Sequence, residues 1–219
     1  MTTSLTTQAG DRPALIPADQ VTLPGTLAWP SRPGGIVIFA HGSGSSRLSP
    51  RNQYVARHLQ GAGLATLLFD LLTEPEASDR ANVFDIPLLA RRLLAGARWV
   101  AGQPEVANLP IGLFGASTGA AAALIAAAMA PESVAAVVSR GGRPDLAGDY
   151  LPRVRAPTLL LVGSHDQSVL LLNREALARL TCPKRLAVIP GASHLFEEPG
   201  TLEDVAKRAA EWFVQYRTA

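Results

Sequence analysis

The chain has 219 residues, 47% of them hydrophobic and 17% charged, with a formal net charge of +2. That length suits one domain with a sizeable core, and the absence of a dense basic run argues against a nucleic-acid binder. No apolar stretch approaches the roughly 20 residues of a bilayer span, and the single cysteine, Cys182, forbids an intramolecular disulfide.

Residues 1–12 are polar, have no basic start and no apolar core, and read as a loosely ordered lead-in rather than a secretory signal. A cytoplasmic location is expected from this and from the cysteine usage. Extended segments follow near 13–18 and 20–29, with Pro24-Gly25 read as a turn between strand pieces. From Gly35 the chain alternates. Apolar runs at 35–40, 64–69, 110–114, 134–139, 158–162 and 185–189 read as buried strands. Helical patterns fall at 50–61, 84–102, 118–130, 168–180 and 202–217, with a polar stretch at 73–82. Such alternation demands a mainly parallel sheet with helices on both faces. The expectation is one α/β domain over residues 1–219, with about seven or eight strands in the sheet.

Gly115-Ala116-Ser117-Thr118-Gly119 is a G-x-S-x-G pattern between a strand and a helix. A serine on so sharp a turn needs very small neighbours two positions away. The turn lifts its hydroxyl to the helix N-terminus, where amides and dipole favour negative charge. Ser117 is therefore the candidate nucleophile, with helix capping as its alternative role.

A serine hydroxyl needs a base, and the base needs an orienting acid. In strand–elbow–helix hydrolases these follow the serine in the order acid, then histidine. They lie beyond the carboxyl ends of strands, where ligands bind in open α/β sheets. Asp166 follows the strand 158–162, and His194 follows the strand 185–189. Asp166 could alternatively cap the next helix. Of the other histidines, His41 reads as structural, His58 as a surface residue, and His165 as pointing away from the site.

The oxyanion hole is assigned to the backbone N–H of Thr118 and to that of Ser43, in the loop His41-Gly42-Ser43-Gly44-Ser45. Gly44 is a further candidate there. Arg140 and Arg143 lie just past a strand end, with Arg47 and Arg51 in the opposite loop. They can hold a substrate carboxylate or phosphate, or be tied into ion pairs with Asp145, Glu197 or Glu198. No familiar metal-ligand spacing is present, and neither metal nor cofactor is expected.

Taken together, the His41-Gly42 loop, G-A-S-T-G, the loop aspartate and the late Gly191-Ala192-Ser193-His194 resemble the α/β-hydrolase superfamily. Within it they are similar to the dienelactone hydrolase-like branch, from about residue 13 to 217. The resemblance implies a serine hydrolase acting on small carboxylic esters through an acyl-enzyme. One departure stands out, because dienelactone hydrolases themselves carry cysteine at the nucleophile position. The stretches 139–146 and 194–200 also resemble hydrolase domains fused to phosphoribosyltransferases. Alternatives are thus a thioesterase or acyltransferase with the same triad, or a non-catalytic partner of a phosphoribosyltransferase. The short interval between Ser139 and Thr158 leaves no room for a cap domain, so an open site and a small-molecule ester are expected. The chain is expected to act as a monomer or homodimer.

Overall fold

A computed structural model of the chain describes residues 8–217. An antiparallel pair comes first, β1 (Gly10–Ala18) and β2 (Val21–Trp29). Six parallel strands follow: β3 (Ile36–Ala40), β4 (Ala65–Phe69), β5 (Ile111–Ala116), β6 (Ala136–Arg140), β7 (Thr158–Gly163) and β8 (Lys184–Ile189). One eight-stranded sheet results, in the order β1-β2-β4-β3-β5-β6-β7-β8, with β2 antiparallel to β4. β3 and β5 pair in register, with Ala40 opposite Gly115, which sets the ends of both strands side by side.

Helices cover both faces. On one face, α1 (Pro50–Gly61) and α7 (Thr201–Gln215) bury Val55, Leu59, Val205 and Phe213 against Val37, Phe39, Phe114 and Val138. On the other, α4 (Ile86–Ala101), α5 (Thr118–Met129) and α6 (Gln167–Arg179) pack with the single-turn pieces of Pro144–Arg153. Every residue of α5 from Thr118 to Ala128 is buried, as expected of a helix that is apolar all round. Its alanines let it lie close to the sheet, while Leu124 and Ile125 are fully covered; each is worth about 1.5–3 kcal/mol.

The core alternation matches the sequence reading, with boundaries moved by a residue or two. Three details differ. The reading of 1–12 as loosely ordered fails where β1 starts, at Gly10; residues 1–7 lie outside the described residues. Arg12 is anchored by Glu105 at 3.0 Å and Gln103 at 2.8 Å. Pro24-Gly25 is not a turn but the middle of β2, paired with Leu15 and Ala14. Gly25 serves close approach instead, since a Cβ there would lie 2.7 Å from the Phe69 side chain. The turn is Asp19-Gln20, with Asp19 at φ 53°, a conformation that aspartate tolerates. Finally, the polar stretch 73–82 folds into two short helices, α2 (Glu74–Ser78) and α3 (Arg80–Val83). Thr73 and Glu76 form a reciprocal capping box at the first. Between β6 and β7 the one helical segment is Pro144–Arg153, and among the described residues no cap domain covers the carboxyl edge.

Candidate active site

Ser117 sits between β5 and α5 with φ 51° and ψ −122°. A non-glycine residue there is strained, and such strain persists only where surrounding structure imposes it. The imposing contacts are its glycine neighbours. A Cβ on Gly115 would lie 2.4 Å from the Ala120 Cα, and one on Gly119 would lie 2.2 Å from the Ala40 carbonyl oxygen. The Ser117 N–H donates to the Arg140 carbonyl at 3.3 Å, and its own carbonyl accepts from Arg143 N–H at 3.0 Å. Ser117 occupies the N-cap position of α5 but its hydroxyl makes no capping bond. The alternative role as a helix cap is therefore not the one its side chain takes.

Asp166 and His194 come from loops that are tied to each other. His165 N–H donates to the Ala192 carbonyl at 2.9 Å, and Ser164 N–H to the Ile189 carbonyl at 3.0 Å. Gly191 N–H donates to Ser164 Oγ at 2.8 Å. This lacing brings His194 Nδ1 to 2.6 Å from Asp166 Oδ2. The Asp166 side chain is 10% exposed and that of His194 41%. Asp166 holds the N-cap position of α6 without a capping bond, so its carboxylate is committed to the histidine. Gly141, one residue past the carbonyl that binds Ser117, packs against His194: a Cβ there would lie 3.6 Å from Nδ1. His165, beside Asp166 in the chain, is exposed.

The loop after β3 runs directly over the elbow, with the Gly42 Cβ position 2.9 Å from the Ser117 Cβ. His41 fixes this loop. Its Nε2 accepts Leu71 N–H at 3.0 Å, and its Nδ1 donates to the Gly42 carbonyl at 3.1 Å. Burial, the largest influence, holds its pKa below the ordinary imidazole value of 6.5. His41 is thus a neutral structural residue. Ser43 N–H donates to Thr118 Oγ1 at 3.0 Å. The two residues assigned to the oxyanion hole are therefore in contact, through a side chain that the sequence reading did not use. Gly44 stands exposed at the loop edge with φ 67°.

The dienelactone hydrolase family model matches residues 23–217. The chain belongs to the dienelactone hydrolase family. A dienelactone hydrolase from Anabaena variabilis, solved as a crystal structure, superposes with a TM-score of 0.92 at 54% identity, covering 96% of this chain and 100% of that one. Est1E from Butyrivibrio proteoclasticus shares the fold at TM-score 0.80 and 18% identity, covering 94% of this chain and 99% of that one. Among curated proteins, a putative phosphoribosyl transferase of Mycobacterium tuberculosis is 61% identical over 206 residues, covering 94% of this chain and 46% of its own length. The chain thus spans less than half the length of that relative. An uncharacterised M. tuberculosis protein is 30% identical over 184 residues, 74% of this chain and 63% of its own.

In this dienelactone hydrolase-family chain the residue at the sharp turn between β5 and α5 is serine. The Gly42–Ser46 loop also lines a cavity of about 310 Å³, walled on its other sides by Asp70, Leu72, Glu74, Ala77, Val83 and Leu89. The four arginines sort themselves by partner. Arg143 is bound to Asp145 through two bonds of 2.9 and 2.7 Å, which raises its pKa above the ordinary value. Arg47 is bound to Asp70, and Arg51 Nη1 lies 3.2 Å from Glu197 Oε1. Arg140 has no carboxylate among the described residues and is 8% exposed. Two more residues hold the histidine loop: Glu198, which pairs with no arginine among the described residues, and Phe196, to which the sequence reading gave no role. Glu198 accepts Ser193 N–H at 3.0 Å, which lowers its carboxyl pKa. Phe196 is buried at φ 57° beneath the same loop.

Proposed function

We propose that this chain is a serine esterase that cleaves small carboxylic esters through an acyl-enzyme. His194 Nε2 takes the proton from Ser117 Oγ as the oxygen attacks the ester carbonyl. Asp166 accepts the Nδ1–H, fixes the imidazole tautomer and stabilises the imidazolium. The N–H groups of Thr118 and Ser43 meet the oxygen of the tetrahedral intermediate; the Ser43 N–H turns to it from Thr118 Oγ1. The imidazolium then protonates the departing alcohol. Water, deprotonated by the same histidine, releases the acid and restores Ser117.

The observation that carries this reading is the 2.6 Å pairing of Asp166 with His194, with His194 packed against Gly141, one residue past the carbonyl that binds the N–H of the strained Ser117. A carboxylate committed to an imidazole in this way has little structural purpose at a sheet edge. The apolar cavity beside the Gly42–Ser46 loop receives one side of the ester. The test is turnover of p-nitrophenyl acetate by wild type, Ser117→Ala and His194→Gln. Each variant should lose several orders of magnitude in kcat; undiminished turnover in Ser117→Ala would reject the reading.

A further inference from the structure

Asn173 stands in the middle of α6 and is 0% exposed. A buried amide in a helix interior is a poor choice for stability alone. Asparagine is a weak helix former, and its polar atoms need partners once water is removed. One of them has none: Oδ1 is buried without a hydrogen-bond partner. The two groups bonded to its other end are both carbonyls, so only the amide nitrogen can face them. Nδ2 donates to the Val169 carbonyl, one turn back in α6, at 2.8 Å, and to the Gly142 carbonyl at 2.9 Å. A leucine would fill similar space with no unmatched oxygen. What the asparagine adds is the bond to Gly142.

Gly142 lies in the segment Arg140–Arg143, which closes around Ser117. The Arg140 carbonyl accepts the Ser117 N–H at 3.3 Å, and the Arg143 N–H donates to the Ser117 carbonyl at 3.0 Å. Between them, the Gly141 N–H donates to the Leu161 carbonyl at 2.8 Å, and a Cβ on Gly141 would lie 3.1 Å from the His194 carbonyl oxygen. Gly142 itself is pressed between β6 and α5, since a Cβ there would lie 2.0 Å from Ser139 Oγ and 2.5 Å from the Ala120 Cβ. One short segment therefore holds the serine by both its backbone N–H and its carbonyl, and packs on the histidine. Among the described residues, Asn173 is the one side chain that bonds to the backbone of this segment. It does so from the helix that Asp166 begins, about two turns beyond that aspartate and on the same face.

We propose that Asn173 is a positioning residue for ester cleavage: by holding the Gly142 carbonyl it fixes the Arg140–Arg143 segment, and with it the placement of Ser117 relative to the Asp166–His194 pair. This rests on the esterase reading of Ser117. Asn173 does not touch the reacting atoms; its effect passes through Gly141 to His194 and through Arg143 to Ser117. Losing the bond frees a segment that contacts both groups at once, and a misplacement of about 1 Å can cost about 100-fold in rate. A fully buried side chain meets no substrate, so the loss falls on kcat and not on KM.

The test is hydrolysis of p-nitrophenyl acetate by the full chain as wild type, Asn173→Leu and Asn173→Ser, well below each melting temperature, with kcat expressed per folded molecule from circular dichroism. Asn173→Leu keeps the bulk and removes the donor. Asn173→Ser adds no bulk, so it preserves the test if the leucine variant does not fold. Each variant should lose roughly 10- to 100-fold in kcat, with KM within about threefold of the wild type. Phosphonylation of Ser117 by a fluorophosphonate should slow by a similar factor, since it uses the same serine and base. A purely structural role for Asn173 would lower the melting temperature and leave kcat per folded molecule unchanged; that result overturns the proposal, as does a loss carried by KM. Wild-type kcat in the Asn173 variants alongside an inactive Ser117→Ala defeats the positioning role alone. Retained turnover in Ser117→Ala defeats the esterase reading, and the positioning role with it.

Discussion

Replacing Gly119 by alanine tests the elbow with one methyl group. The added Cβ would lie 2.2 Å from the Ala40 oxygen and 2.6 Å from the His41 oxygen. Carbon–oxygen contacts normally sit near about 3.3 Å, so the overlap is about 1 Å. Neither obstacle is a flexible side-chain tip. Ala40 is locked opposite Gly115 in the β3–β5 ladder, and His41 is held by its ring bonds to Leu71 and Gly42. Relief therefore requires α5 to move away, carrying Ser117 with it. Overpacking costs about 1–3 kcal/mol and sometimes more, and a backbone clash belongs at the upper end. At 2–4 °C per kcal/mol for a domain of this size, the melting temperature should fall by about 6–12 °C. A displacement near 1 Å at the nucleophile should also cost about 100-fold in turnover. Gly61→Ala is the control, since nothing lies within 4 Å of its Cβ position; it should leave the melting temperature unchanged or raise it by up to about 4 °C. Calorimetry and ester kinetics on both variants decide the matter. A Gly119→Ala protein that melts and turns over like the wild type would refute the packing account of the elbow.

Asp166→Asn keeps the shape but reverses the hydrogen-bond logic at His194 Nδ1, so kcat should fall by about 10⁴-fold with the fold intact by circular dichroism. Thr118→Val removes the acceptor of the Ser43 N–H and should cost about 1–3 kcal/mol of stability in thermal melts, while Thr118→Ser should keep most of it. His41 makes stability depend on pH. Its folded pKa lies below 6.5, so the unfolded chain binds the extra proton first. Its contribution is constant above about pH 6.5 and is lost as the pH falls from there towards the folded pKa. Ring NMR should show His41 titrating below the ordinary imidazole value of 6.5, and His41→Gln should flatten the loss of melting temperature over that range.

The elbow was legible because its constraint is local: five consecutive residues carry the turn, its strained serine and the two glycines that clearance demands. Asp166 and His194 were legible for a different reason. Chain order and strand ends define where an acid and a base can stand, and each loop offers one suitable residue. The β-hairpin was misread because Pro24-Gly25 carries the composition of a turn. Gly25 is instead required by Phe69 on a neighbouring strand, a contact that no local window contains. The same limit hid the contact of the Thr118 hydroxyl with Ser43, 75 residues away in the chain, and left open which arginine Glu197 would take, since Arg51 is 146 residues from it. The arginines were visible as a cluster, but their division into paired and unpaired members depends on which carboxylates the folded loops deliver. Asp145, only two positions from Arg143, was the one partner within local reach.

The central claim is that Ser117 is the group that becomes acylated. Its most direct test is reaction of the chain with a fluorophosphonate ester, followed by proteolysis and mass spectrometry. The account predicts one adduct, on the peptide containing Ser117, absent from Ser117→Ala and formed far more slowly in His194→Gln. An adduct on any other residue, or none in a chain that still turns over esters, would contradict it.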